Sequence, residues 1–370
     1  MRIAIVNFTS GGLSGGYKKY LNRVVPLMAI DSRIEHLDVF IPIEIGQISK
    51  GKVRWHLLPK WNDIKVASWL KSHLPKLNPD VVFIPTARWI NFNGIPIVIM
   101  VRNMEPLLVP FKVSSIKECL KNIGRYVSAL KACKRANRII AVSNHVREFL
   151  IKKWRINPHR IGIVYHGVDV SEKSSDILIP ESINGTKISR FIFTAGSIRP
   201  ARGLEDLIKA MKYLKDMYPD LYLIIAGKTS HETELYKHHL NKLSIKLGVR
   251  ERILWVGHLN ENEMIWCYQN CSTFVMTSRV EACPNIALEA MSHGCISVST
   301  DNPPMPEILS DSAFYYNAGN SSHLAEQISL ALNLSEEERK NKRDESLTIA
   351  KRFTWERTAH LTIDQIVQSL

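Results

Sequence analysis

Short apolar runs alternate with segments of helical period along the whole chain, and this alternation restricts the fold more than any other feature. In the first half the candidate strands are Arg2–Val6, Leu37–Ile41, Val53–Leu57, Val81–Ile84, Ile97–Val101, Ile139–Val142 and Ile161–Val164. Helical patterns at Tyr17–Met28, Ile64–His73, Ser114–Arg135 and Asn144–Trp154 fall between them. The second half repeats the plan, with strands at Phe191–Ala195, Leu221–Ala226, Ile253–Val256, Thr273–Met276 and Ile296–Ser299. Helices there fit Leu204–Leu214, Glu232–Leu247, Glu261–Gln269, Ile286–His293 and Ser322–Leu332. Strands that alternate with helices imply an α/β chain of doubly wound parallel sheets.

A chain of 370 residues defaults to two domains. The polar, aperiodic stretch Ser171–Thr186 (SEKSSDILIPESINGT) is the linker candidate. Two Rossmann-like domains are therefore expected, over residues 1–175 and 185–352. Ligands of open α/β sheets bind outside the carboxyl ends of the strands, so two such edges facing across a cleft are expected to hold the chemistry.

Composition excludes several classes. No uncharged apolar run approaches the ~18 residues of a membrane-spanning helix. Met1–Asn7 (MRIAIVN) reads as a strand and lacks the parts of a signal peptide, so a cytoplasmic protein is expected. The six cysteines have neither zinc nor redox spacing, which fits reduced, mostly buried thiols. The formal charge of +14 is uneven: residues 1–180 hold 28 Lys and Arg against 12 Asp and Glu, and the remainder holds 21 against 23.

Three segments carry candidate chemistry, each just after a strand. SGGLSGGYKKYL places Gly11, Gly12, Gly15 and Gly16 ahead of a helix, where backbone N–H groups suit a phosphate. It is neither a P-loop nor a dinucleotide fingerprint, and a plain tight turn explains it equally well. GSIRPARGLEDLIKA places Arg199 and Arg202 at the start of a helix. Two guanidinium groups beside a helix N-terminus suit a diphosphate, whereas two solvated arginines would oppose the helix dipole. TSRVEACPNIALEAMSHG brackets a helix start with Glu281 and Glu289. Glu289 is placed to accept from a diol such as ribose, and Glu281 from sugar hydroxyls. An acidic first turn that merely complements the dipole is the alternative.

The run from Glu281 to Gly294, E-x-x-P-N-x-x-L-E-A-M-x-x-G, resembles the donor-site signature of the retaining GT-B glycosyltransferases of the family-four type, the group 1 glycosyltransferases. GSIRPARG resembles that family's phosphate-contacting loop; IIAGK and ILWVGHL resemble its nucleotide-domain strands. IIAVSNHVREFL and VYHGVDV resemble the end of its acceptor domain.

The resemblance implies a GT-B fold and a set of roles. Glu289 would bind the nucleotide ribose and Glu281 the transferred sugar, with the backbone of Cys283, Pro284, Asn285, Ile286 and Ala287 against sugar and diphosphate. Arg202 stands where the family usually has Lys and would stabilise the leaving diphosphate. Ser197 replaces the family's usual Arg, and Arg199 is the candidate substitute. Gly15, Gly16, Gly196, Gly227 and Gly257 complete the donor-binding set. Asn103, in VRNMEPLL, stands near the family's usual His and can hydrogen-bond a sugar hydroxyl but not shuttle a proton at neutral pH. No cofactor is implied beyond the nucleotide-diphosphate sugar, which is a substrate. No Asp-x-Asp pair occurs, so metal ligands are not expected. The segment Phe353–Leu370 resembles the family's closing helix, which returns to the first domain.

Lys112–Arg160 contains 13 Lys and Arg against Glu118 and Glu148. Within it Val113, Ile116, Leu120, Ile123, Val127 and Leu130 recur at helical spacing. Either this stripe packs on the sheet and leaves a solvated basic back, or the surface meets anionic lipid at the inner membrane face. No nucleic-acid-binding signature accompanies the charge. The expected partners are thus a nucleotide-sugar donor, a glycan or lipid-linked acceptor, and an anionic membrane surface. Two competing functions are a nucleotide-sugar epimerase on the same scaffold, and an inactive sugar-nucleotide or lipid-surface binding module suggested by Ser197 and Asn103.

Overall fold

The computed structural model describes residues 1–7, 15–42, 51–108, 116–169, 178–186, 188–229 and 233–370. It divides into two units: Met1–Gly167 with Thr354–Leu370, and Val168–Phe353. The division lies ahead of the polar stretch expected as the linker. Val168 N donates to Phe353 O at 2.9 Å, where the chain leaves one unit and returns to it. Gly11 and Gly12 lie outside the described residues, as do 171–177 of the linker candidate.

Among the described residues the first unit has seven parallel strands: β1 (Arg2–Val6), β2 (His36–Ile41), β3 (Val53–Leu57), β4 (Val81–Ile84), β5 (Ile97–Val101), β6 (Arg138–Ala141) and β7 (Ile161–Ile163). They lie in the order β3-β2-β1-β4-β5-β6-β7. The central strands β4 (VVFI) and β5 (IVIMV) are buried at every position, because a parallel sheet is covered on both faces. The C-terminal helix Trp355–Val367 belongs to this unit and packs on the helix Gly15–Ile30. Arg33 bonds Asp364 at 2.6 Å and Arg138 bonds Gln365 at 2.7 Å. Gly162 leaves room for this amide, since a Cβ would meet the Gln365 amide oxygen at 1.8 Å and displace it.

The second unit has six parallel strands among its described residues: β8 (Arg190–Ala195), β9 (Leu221–Ala226), β10 (Ile253–Gly257), β11 (Thr273–Met276), β12 (Ser297–Thr300) and β13 (Ala313–Tyr316). Their order is β10-β9-β8-β11-β12-β13. The helix Leu204–Leu214 buries Leu204, Leu207, Ile208, Met211 and Leu214 at three- and four-residue spacing and covers one face. β13 and the helix Glu336–Ala350 add to the elements expected from the pattern.

The helix Ile116–Arg135 departs from one expectation. Leu120, Ile123 and Val127 are 65%, 45% and 40% exposed and do not pack on the sheet, Leu130 is half-buried, and Val113 and the Ile116 side chain lie outside what is described. The helix instead buries Ala129, Ala132 and Cys133, small residues that let its C-terminal half approach the unit closely.

Candidate functional site

β8 and β11 are neighbours, but the chain leaves β8 toward β9 on one side and β11 toward β12 on the other. Their carboxyl ends therefore bound the switch point at which open α/β sheets bind ligands. The loops after these two strands contain Arg199, Arg202 and Glu281, and the helix after the second loop contains Glu289.

Arg202 and Glu281 are brought together. Arg202 Nη1 makes a short charge-assisted bond to Glu281 Oε1, and the two side chains are only 16% and 13% exposed. Ser278 Oγ completes the triangle, accepting from Arg202 Nη1 at 3.1 Å and donating to Glu281 Oε1 at 3.0 Å. Thr277 Oγ1 also donates to Arg202 O at 2.7 Å. Gly196 allows this packing: at φ +127° its absent Cβ would lie 3.0 Å from Arg202 Cζ. A cavity of about 10 Å³, lined by residues including Gly196, Arg202, Thr277 and Ser278, leaves space for about one water.

A second ion pair ties the loop after β11 to the first turn of the helix Leu204–Leu214. Arg279 binds Asp206 through both guanidinium ends, at 2.6 and 2.7 Å. Tyr316 OH and Gly319 N donate to the same carboxylate at 3.0 and 2.8 Å. Burial works against the Arg279 charge, but Asp206 outweighs it and holds the Arg279 pKa above its ordinary value. Sequence reading missed this pair, although Asp206 sits within GSIRPARGLEDLIKA and Arg279 within TSRVEACPN.

Glu289 lies in the helix Asn285–Ser292. Its Oε2 accepts from Tyr268 OH at 3.2 Å, a partner with no signal in the sequence. Among the described residues no side chain caps this helix at Pro284, unlike the helix Glu261–Asn270, where Asn260 and Glu263 form a capping box. Asn285 Oδ1 is buried with no hydrogen-bond partner among the described residues. Cys283, Pro284 and Ala287 are buried, and Asn285 and Ile286 half-buried.

Gly227 and Gly257 lie with Gly196 at adjacent strand ends. Gly227 N donates to Gly257 O at 2.6 Å, and a Gly227 Cβ would meet Gly196 O at 1.9 Å. Gly227 thus has a packing requirement of its own, whereas a Gly257 Cβ would meet open space and only its φ of +71° favours glycine. Arg199 precedes the turn Pro200–Arg202 and is half-buried.

In the first unit, Gly15 and Gly16 open the helix Gly15–Ile30. Asn103 is exposed, and its Oδ1 accepts from Glu105 N at 3.0 Å, capping the short helix Glu105–Leu108. Its neighbour Arg102 is the side chain beside Gly16, donating to Gly16 O at 3.3 Å. The Arg102 guanidinium lies 4.3 Å over Tyr17 and 5.0 Å over Tyr20. His166 is buried against Tyr20, and burial, reinforced by Arg102, pushes its pKa well below the ordinary value, so it is neutral.

Two family descriptions match the chain in succession: Glycosyltransferase Family 4 over residues 33–172 and Glycosyl transferases group 1 over residues 176–346. The chain belongs to the group 1 glycosyltransferases, and its fold is GT-B. It is 31% identical to the uncharacterized glycosyltransferase YqgM of Bacillus subtilis over 44% of this chain and 42% of that one. It is 28% identical to an Escherichia coli UDP-Gal:alpha-D-GlcNAc-diphosphoundecaprenol alpha-1,3-galactosyltransferase, again over 44% and 42%. The chain thus matches less than half the length of these relatives. The crystal structure of Anabaena HepE in complex with UDP-glucose superposes with a TM-score of 0.75 at 16% identity, covering 100% of both chains.

Proposed function

We propose that the protein is a retaining glycosyltransferase that moves a sugar from a nucleotide-diphosphate sugar to a glycan or lipid-linked acceptor. The observation that supports this most is the Arg202–Glu281 pair at the β8/β11 switch point, with Glu289 in the helix that follows. In this reading Glu289 accepts the ribose hydroxyls, and Glu281 holds the transferred sugar. Arg202 turns from Glu281 to the diphosphate when a donor binds. Preorganised cations aimed at a departing phosphate stabilise the charge that develops on it, so Arg202, assisted by Arg199, serves in place of a metal ion. The bond from the sugar's anomeric carbon to the phosphate breaks as the acceptor oxygen attacks on the same face. The acceptor's proton passes to the departing phosphate oxygen, so the anomeric configuration is kept.

The first unit is proposed to hold the acceptor at an anionic membrane surface. It has 28 Lys and Arg against 11 Asp and Glu. Among its described residues no helix is long and apolar enough to cross a membrane. Its helix Ile116–Arg135 presents Leu120, Ile123 and Val127 together with Lys121, Arg125, Lys131, Lys134 and Arg135, a combination suited to the headgroup boundary. The E. coli relative is named for a uridine donor and a diphosphoundecaprenol acceptor, which makes those the first compounds to test.

A thermal-shift screen across uridine- and guanosine-diphosphate sugars, followed by measurement of nucleotide release with a polyprenyl-diphosphate acceptor, tests the proposal. A stabilising donor that is consumed only with acceptor present supports it. A donor that binds without turnover with any acceptor favours the inactive binding module.

A further inference from the structure

Tyr268 belongs to none of the motifs, yet it is built around Glu289. Its side chain is 3% exposed, in the helix Glu261–Asn270, and its hydroxyl donates to Glu289 Oε2 at 3.2 Å. The ring is held on three sides. It stacks on His293 at 5.3 Å and 23°, and meets Phe193 of β8 and Phe274 of β11 edge-on at 5.4 and 5.6 Å. His293 in turn donates from Nδ1 to Glu289 O at 2.8 Å, so the stacked pair grips both the backbone and the carboxylate of one residue. The Tyr268 carbonyl is pinned as well, accepting from Cys295 Sγ at 3.1 Å and Cys271 Sγ at 3.5 Å. Burial first, and then the neighbouring Glu289 carboxylate, push the phenol pKa well above its ordinary value, so the hydroxyl stays a donor at any working pH.

We propose that Tyr268 is a positioning residue that fixes the Glu289 carboxylate for the cis-diol of a ribonucleotide and thereby sets discrimination against 2′-deoxyribonucleotides. This rests on the reading of Glu289 as the ribose ligand. A carboxylate in a helix side chain has three rotatable bonds, and a buried phenol bonded to one oxygen selects one arrangement of them before ligand arrives. The ordering cost is then met on folding and not on binding. Tyr268 touches no reacting atom, and its effect passes entirely through Glu289.

The test compares wild type, Tyr268→Phe, Glu289→Gln and Phe193→Leu by calorimetry. The probes are the four common ribonucleoside 5′-diphosphates and their 2′-deoxy forms. Wild type should prefer the ribo form of its cognate base by at least ~10-fold, the scale of a hydrogen bond to a charged group. Glu289→Gln should abolish that ratio, and Tyr268→Phe should reduce it to within about threefold. Phe193→Leu perturbs the ring packing without removing the hydroxyl, so it should leave the ratio intact even if both affinities fall. A ratio kept in Tyr268→Phe but lost in Glu289→Gln overturns the positioning role and leaves the ribose role standing. A ratio kept in Glu289→Gln, or no nucleotide bound by wild type, overturns both. If Tyr268→Phe does not fold, Glu289→Asp withdraws the carboxylate from the phenol. It should lose the ratio too, and retention there overturns the proposal.

Discussion

The two units share one plan, a parallel sheet with its switch point at the centre, but they place charge differently. In the second unit the key charges sit in partly buried pairs at the carboxyl edge, Arg202 with Glu281 and Arg279 with Asp206. In the first unit cations outnumber acids 28 to 11, and at the matching edge Arg102 lies over the Tyr17 and Tyr20 rings beside Gly16. Breaking a buried pair leaves a charge uncompensated, whereas exposed cations gain little from local partners and act through their summed field. In the proposed function the second unit accordingly holds one small charged ligand in a fixed pose, and the first meets an extended anionic surface.

The largest separation between the units is expected from Glu289→Ala. Loss of two hydrogen bonds to a charged group, at ~1.5–3 kcal/mol each, should weaken nucleotide binding roughly 100-fold or more by calorimetry. Vesicle binding should be unchanged. If nucleotide affinity does not move, the ribose role is lost.

Arg202→Ala should lower kcat by about 100-fold, the scale of removing one donor from a developing anion, with a smaller change in donor affinity. It also strands the Glu281 carboxylate, 13% exposed, so a drop in Tm of the apo protein is expected. An unchanged kcat would remove Arg202 from the chemistry.

Replacing Leu120, Ile123 and Val127 together by Ser should reduce flotation with anionic liposomes by about tenfold and leave donor affinity alone. The apolar row should confer a component of binding that survives added salt, while the cations confer one that fades with it. Equal recovery with neutral vesicles would leave the basic surplus without a membrane role.

The smallest effect concerns acid stability of the first unit. The Arg33 hydrogen bond to Asp31, opposed by burial, holds the Asp31 pKa down at about 2. A depressed carboxylate pKa stabilises the fold above the ordinary value near 3.8 and loses that contribution as pH falls toward 2. Asp31→Asn should therefore destabilise the protein at neutral pH and flatten the decline in stability over that window, measured by urea unfolding. An unchanged profile would show that the Arg33 clasp contributes nothing.

How far the sequence could be read depended on where each element is buried. β5, IVIMV, is buried at every position and announces itself as an apolar run. β13, AFYY, is an edge strand with two half-buried positions, and no run of aliphatic residues marks it. The helix Glu336–Ala350 is polar nearly all round, so no apolar stripe marks it, and its one local signal, the Ser335–Glu338 capping box, went unread. The stripe of the helix Ile116–Arg135 shows a second limit, because periodicity reveals that a face exists but not what covers it. At the site, Arg202, Glu281 and Glu289 stood out because spacing within a loop and helix is local. Tyr268 and the Arg279–Asp206 pair did not, because the contacts Tyr268–Glu289 and Arg279–Asp206 span 21 and 73 residues of chain. In VRNMEP the contacts are equally unmarked in the sequence: Asn103 Oδ1 accepts from Glu105 N, and Arg102 reaches Gly16 O.

The most direct test of the central claim is the anomeric configuration of the product formed from a donor that stabilises the protein, followed by NMR for wild type and Arg202→Ala. The account predicts transfer by wild type with the donor's configuration retained, and transfer at about one hundredth of that rate by Arg202→Ala. An inverted product, or equal rates for the two proteins, would contradict it.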